Sequence, residues 1–256
     1  MLALVTGASS GLGKDFCEQL SKEGYDLIIV ARSYDRLLEV KNKLEDEFHN
    51  NIKVITCDLS CETDILIKEL ENDNIDLVIN NAGFGDFGEF VERDLKKIEN
   101  MIDLNITSLT KLTHYFGRVM KLRGSGKILN VSSIAAFQPG PYMSAYYATK
   151  SYVLSLSEGL DYELKDYGVR VLTLCPPPTK TSFFTNAGAD QSKILSVTKP
   201  LESKEVVKYT LRKIKKNKRV IVPGFGYRCL LFFEKLIPRS LTLSIMGKIQ
   251  RKRKDA

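Results

Sequence analysis

Tryptophan is absent from this chain and histidine is scarce. The two histidines in 256 residues, His49 and His114, have no partner at ligand spacing, and Cys57 and Cys61 form an isolated pair, so no metal centre is expected. Cys17, Cys57, Cys61, Cys175 and Cys229 are an odd, scattered set. That pattern excludes a disulfide scaffold and points to a reducing cytoplasm. No apolar run reaches the ~20 residues that cross a bilayer. The opening MLALVTGASS has no basic segment ahead of its short apolar run, so no secretory leader is expected and the sequons at Asn105 and Asn130 carry no meaning. Low-complexity tracts, internal repeats and Pro/Gly/Ser-rich linkers are also missing, which leaves one globular domain.

What is present is a basic surplus, unevenly spread. The net charge is +7, with one basic run at Lys213, Lys215, Lys216, Lys218 and Arg219 and another at Lys248 and residues 251–254. Neither run has interleaved aromatics or a docking motif, so both read as solvated faces and nucleic acid is not an expected partner.

Short β-branched runs alternate with longer amphipathic stretches. LALV (2–5), LIIV (27–30), IKVIT (52–56), DLVIN (76–80), KILNVS (127–132), VRVLTL (169–174) and RVIV (219–222) read as buried strands. Helical patterns fall at 11–23, 34–48, 62–72, 94–122, 144–166 and 203–216. This alternation predicts an α/β fold, a doubly wound parallel sheet of about seven strands with helices on both faces. Such a sheet binds its ligand beyond the carboxyl ends of the strands, where strand order reverses.

The loop after the first strand is TGASSGLG, with Gly7, Gly11 and Gly13 spaced G-x3-G-x-G. Glycines there permit a tight turn, and the following helix N-terminus offers free N–H groups to a pyrophosphate. At the end of the second strand stand Ala31, Arg32 and Ser33, where an acidic residue would repel a ribose 2′-phosphate. A guanidinium beside a hydroxyl would hold that phosphate, so the expected cofactor is NADP(H).

In SAYYATK (144–150), Tyr146 lies four residues before Lys150 and shares its helical face, while Tyr147 points elsewhere. A phenol with pKa near ~10 is a weak acid or base at neutral pH. Lowering it by about three units takes roughly 4 kcal/mol, about what one ammonium ~4 Å away supplies at an effective dielectric of ~20. Tyr146 is therefore expected to be a tuned acid and Tyr147 to pack.

Together, TGASSGLG, Asn80-Asn81-Ala82-Gly83, Ser133 thirteen residues before Tyr146, and Tyr-x-Ala-Thr-Lys resemble the short-chain dehydrogenase/reductase family, in order from residue 2 to about 224. The resemblance implies a Rossmann-fold NADP-binding catalytic domain over 1–224, with hydride transfer between nicotinamide and a carbonyl or alcohol. Tyr146 would exchange the proton and Lys150 would tune it and hold the nicotinamide ribose. Ser133 would bind the substrate oxygen, and Asn105 would hold a water that completes a proton relay. Ser132 could act in place of Ser133, and Asn105 could instead mark a helix kink. Cofactor contacts are implied for Gly7, Ser9, Ser10, Gly11, Leu12 and Gly13, then for Arg32, Ser33, Asp58 and Leu59. Asn81, Ala82, Gly83, Tyr146 and Lys150 would follow, and beyond the sixth strand Pro176, Thr179 and Thr181. A homodimer or homotetramer is also implied.

Two departures stand out. Where the family usually has Pro-Gly, this chain has Pro176-Pro177-Pro178, so the turn there needs neither a positive φ nor an amide donor at Pro177, and the carboxamide contact of Thr181 is in question. Phe183 and Phe184 suit either an apolar pocket wall, for an apolar or acyl-bearing substrate, or plain core. Residues 225–256 add an apolar, basic extension read as two short helices broken at Pro238. It could cap the pocket or a subunit interface, or rest on an anionic membrane as a peripheral contact. The competing function is a non-catalytic NADP(H)-binding or membrane-surface scaffold, against which the complete Asn105, Ser133, Tyr146 and Lys150 set argues.

Overall fold

The computed structural model describes residues 1–189 and 198–251; the basic residues 252–254 singled out in the sequence lie outside them. Its strands are β1 (Leu2–Thr6), β2 (Asp26–Ala31), β3 (Ile52–Thr56), β4 (Leu77–Asn80), β5 (Gly126–Val131), β6 (Val169–Leu174), β7 (Thr179–Lys180), β8 (Leu201–Glu202) and β9 (Val220–Ile221). Seven of them form one sheet in the order β3-β2-β1-β4-β5-β6-β9, parallel throughout. The chain works outward from β1 to β3 and then returns to β4 on the other side of β1. Strand order thus reverses between β1 and β4, as a doubly wound Rossmann sheet requires.

Alternate residues of each strand serve opposite cores, which is why the strands read as unbroken apolar runs. Val5, Leu27 and Ile29 face a core shared with α1 (Gly11–Lys22) and α2 (Tyr34–Phe48). Leu4, Ile28 and Val30 face the opposite one, filled by α3 (Thr63–Glu69) and by Leu112, Phe116 and Met120. The stretch predicted as one helix over 94–122 is three pieces: α4 (Leu95–Ile102), a π-helical turn (Asp103–Ser108) and α5 (Leu109–Arg123). The predicted strand 219–222 keeps two paired residues, because Pro223 has no N–H to continue the ladder. The β7–β8 pair was not foreseen.

Three further helices complete the body: α6 (Ser144–Leu164), α7 (Phe183–Asn186) and α8 (Ser203–Lys215). Buried polar side chains pin α6 and α5 to the sheet. Asn80 donates to Asn130 at 2.9 Å and Asn130 to Ser157 at 2.9 Å, while Asp161 accepts from Arg170 at 2.7 Å and from Arg219 at 2.8 Å. The extension forms α9 (Phe225–Glu234) and α10 (Arg239–Gln250), separated at Pro238 as expected. Thr242, Met246 and Gln250, four residues apart, are buried and set one narrow stripe of α10 against the body. Among the described residues no helix is long and apolar enough to cross a membrane.

Candidate active site

Beyond the carboxyl ends of β1, β4, β5 and β6 lies a cavity of about 910 Å³. Every residue expected to touch cofactor or substrate lines it, apart from Gly13 and Asn105. Gly13 sits behind the loop, where a Cβ would stand 2.1 Å from the Gly7 carbonyl oxygen. Its glycine is needed for that close approach, while Gly7 is needed for a φ of +65°. Ser10, the N-cap of α1, makes no side-chain capping bond, so its hydroxyl and the helix N-terminus are both open to a ligand.

The loop is latched to the next strand by a residue the sequence reading passed over. Thr6 Oγ1 accepts from the backbone N–H of Asn81 and of Ala82, each at 3.0 Å. Asn81 Nδ2 donates back to the Thr6 carbonyl at 2.9 Å. The motif was read for its glycines, and its leading threonine carried no signal of its own.

At the far end of the cavity stand Arg32, Ser33 and a second guanidinium, Arg36, four residues beyond Arg32 and also unforeseen. Ser33, the N-cap of α2, makes no side-chain capping bond. Asp58 lies nearby. Burial works against its charge, but the Ser60 hydroxyl at 2.7 Å, the Ser60 amide and the Arg32 guanidinium together hold its carboxyl below the ordinary range. The combination of a glycine cradle that a Cβ would fill, an open helix N-terminus and two arginines past β2 fits an extended dinucleotide bearing a 2′-phosphate.

The other end is aromatic. Tyr146 and Tyr147 meet edge to face with ring centroids 6.1 Å apart, and Phe183 lies 5.2 Å from Tyr146, the pocket wall its position suggested. Ser133 faces the Tyr146 hydroxyl and also accepts from the Ala135 amide at 3.1 Å. Ser132 does not compete for that place: its hydroxyl donates to the Lys150 carbonyl at 2.7 Å, inside the fold.

Lys150, at the same end, is buried. Its Nζ lies 5.8 Å from the centre of the Tyr146 ring and donates to the Val131 carbonyl at 2.9 Å. Burial pushes Tyr146 up to about 12, and the Ser133 hydroxyl draws it back only in part. Burial also pulls Lys150 down to about 8.

Asn105 sits within the π-helical turn, buried. Its side-chain amide donates to the Phe84 carbonyl at 2.9 Å and to Thr149 at 3.1 Å, and its oxygen accepts from the Phe84 amide at 3.1 Å. Both amide hydrogens are thus committed, which leaves the second lone pair of the oxygen and the backbone to hold a water. Thr179 is committed too, donating to the Pro177 carbonyl at 2.7 Å. Thr181 Oγ1 accepts from the Phe183 amide at 3.3 Å, and its hydroxyl proton remains available to a ligand.

Tyr147 does more than pack. Gln250 of α10 donates to its hydroxyl, and Gln138, with its amide nitrogen turned to the carboxylate, donates to Glu234 of α9 at 2.8 Å. Both helices of the extension are thereby pinned beside the aromatic end. No local motif marks these contacts, because the partners lie about a hundred residues apart.

These features recur in known proteins. The chain is 31% identical over 178 residues to 17-beta-hydroxysteroid dehydrogenase type 3 of Mus musculus, covering 68% of this chain and 58% of that protein. It is 35% identical over 181 residues to the very-long-chain 3-oxoacyl-CoA reductase of Anas platyrhynchos, covering again 68% and 58%. The chain thus spans less than two thirds of the length of these curated relatives. Among solved structures, a short-chain dehydrogenase from Sphingobium yanoikuyae in complex with NADPH superposes with a TM-score of 0.84 at 32% identity, over 98% of this chain and 97% of that one. The short chain dehydrogenase family model matches residues 1–192, a span that holds every one of the site residues described above except those of the extension, and the chain belongs to that family.

Proposed function

We propose that this protein is an NADP(H)-dependent oxidoreductase, a carbonyl reductase or alcohol dehydrogenase, acting on a bulky apolar ketone or alcohol. The observation that carries the reading is that one cavity joins the glycine cradle and the Arg32–Arg36 end to Ser133, Tyr146 and Lys150. The relatives named for steroid and very-long-chain acyl chemistry support a large apolar substrate, as does the wall of Phe183 and Phe184 beside Tyr146.

A bound nicotinamide would supply or accept the hydride. The chain's own residues handle the oxygen and its proton. Ser133 hydrogen-bonds the substrate oxygen and orients it against Tyr146, which is fully protonated at neutral pH and donates its proton in the reductive direction. Lys150, titrating near 8, can lose and regain a proton close to physiological pH, the property a relay behind Tyr146 requires. Asn105 would carry that relay onward. Arg32 and Arg36 clamp the 2′-phosphate, and Asp58 receives the adenine.

In this reading residues 1–224 are the catalytic domain and 225–256 an extension packed on it. The exposed apolar residues Leu95 and Leu122 on the outer sides of α4 and α5 suit a homodimer or homotetramer. The five free cysteines suit a reducing cytoplasm.

The test is NADPH oxidation over a panel of aliphatic ketones, ketosteroids and 3-oxoacyl thioesters. Turnover rising with the apolar bulk of the substrate is the expected outcome. Tight NADPH binding with no turnover on any of them would favour a non-catalytic, nucleotide-binding scaffold.

A further inference from the structure

The extension carries an apolar surface that the body does not cover. Among the described residues, 21 large apolar or tyrosine side chains are exposed, and nine of these fall within 225–245. Phe225 is 75% exposed and Leu236 72%, with Leu230, Phe232, Phe233 and Leu241 also open to solvent. On α10 the stripe of Thr242, Met246 and Gln250 is used for packing, which turns Leu241, Ile245 and Lys248 outward along a neighbouring flank. Beside it, a groove brings Phe90 next to Ser244, Gly247, Lys248 and Arg251, and Phe90 is exposed as well. Phe90 thus adds one exposed apolar residue of the body beside the extension, with Glu89 in the same groove. An exposed patch of this kind marks an interaction surface.

Charge says what covers it. Residues 225–256 hold eight cations and two acids, whereas the other 224 residues hold 30 cations and 29 acids. Nearly all of the protein's net charge is therefore in the extension. Glu234, the one acid among its described residues, bonds to Gln138 and takes only one charge from that surplus. A second copy of this chain, docked face to face, would set two such positive surfaces against each other. A bilayer with anionic headgroups complements both properties, apolar side chains entering the acyl boundary and cations resting among the headgroups. With 10 and 12 residues, α9 and α10 have the length to lie in that interface and not to cross it.

We propose that α9 and α10, with Phe90, form a docking face for an anionic lipid surface. The same two helices are pinned at Tyr147 through Gln250 and at Gln138 through Glu234, beside the aromatic end of the cavity. Docking would therefore bring that end of the site to the membrane, where a bulky apolar substrate partitions; this part rests on the proposed function, while the docking itself does not.

The experiment is co-sedimentation of the full chain with vesicles of phosphatidylcholine containing phosphatidylserine, and with phosphatidylcholine alone, at low and high salt. The full chain should bind the serine-containing vesicles, release at high salt and bind neutral vesicles at least tenfold more weakly. A Phe232→Ser/Phe233→Ser double variant and a Lys235→Glu/Arg239→Glu double variant should each lose binding at least tenfold, while turnover of a small water-soluble ketone stays unchanged. No binding to anionic vesicles at low salt, or equal binding by the variants, overturns the proposal. So does a wild-type dimer that ignores vesicles and dissociates on Phe232→Ser/Phe233→Ser, which would assign the face to a second copy. Vesicle binding with no turnover of any ketone would uphold docking and sink the enzymatic reading alone.

Discussion

The two ends of the cavity are built by different means. At the glycine-loop end, the lining comes from short contiguous segments: residues 9–12 with Gly7, 31–33 and 81–83. Its few side-chain latches, such as Thr6 to Asn81, join neighbouring strands of one sheet. At the tyrosine end, the surface is made of side chains drawn from distant parts of the chain. Tyr146 and Tyr147 come from α6 and Phe183 from α7, and Met246 of α10 packs in the same apolar cluster behind them. A backbone cradle can be conserved in shape while side chains vary around it, so the first end suits a ligand shared by many enzymes and the second suits one substrate class.

Lys150 lies where the two ends meet, and replacing it should produce the largest effect. Lys150→Met is expected to lower turnover at least about a hundredfold, the usual scale for losing a proton-transfer group. It should also stabilise the protein. Burial pulls the folded-state lysine from 10.5 to about 8. Between those values the unfolded chain binds more proton, so stability rises with pH through that window, and below pH 8 the buried charge costs up to roughly 3 kcal/mol. Thermal denaturation of the cofactor-free protein checks this: the variant should melt higher than the parent at pH 7, and the gap should narrow by pH 10. A lower melting temperature at pH 7 would mean that the bond to the Val131 carbonyl outweighs the buried charge.

An intermediate effect is expected at the opposite end. Arg32→Ala should weaken NADPH binding by about 1.5–3 kcal/mol, the scale of a hydrogen bond to a charged group, and leave NADH almost untouched. Fluorescence titration with both cofactors decides it. Equal losses for the two would show that Arg32 does not read the phosphate and would pass that role to Arg36.

The same contrast governs how much could be read from residues alone. The sheet was legible because strands buried on both faces make continuous apolar runs, and the loop was legible because its needs are local: Gly13 must admit the Gly7 carbonyl. The break at DLNITS was legible only as one of two readings of Asn105, because its partners, Phe84 and Thr149, are remote in sequence. Arg36 belongs to no motif that would single it out. The helical spacing of Tyr146 and Lys150 correctly put both at the cavity, yet spacing says nothing about where an ammonium ends up, and Lys150 reaches the Val131 carbonyl. Gln250 could not be matched to Tyr147 by any local pattern.

The roles proposed for the tyrosine pair, Tyr146 as proton donor and Tyr147 as a support for the extension, can be separated directly. Purified Tyr146→Phe and Tyr147→Phe proteins should be compared in parallel for NADPH binding and for steady-state reduction of the best ketone from the panel. The account predicts NADPH affinities close to the parent in both. Turnover should fall by about 10³-fold or more in Tyr146→Phe and by less than about fivefold in Tyr147→Phe, where a single hydrogen bond to Gln250 is lost. Comparable turnover in the two variants, or a larger loss in Tyr147→Phe, would contradict it.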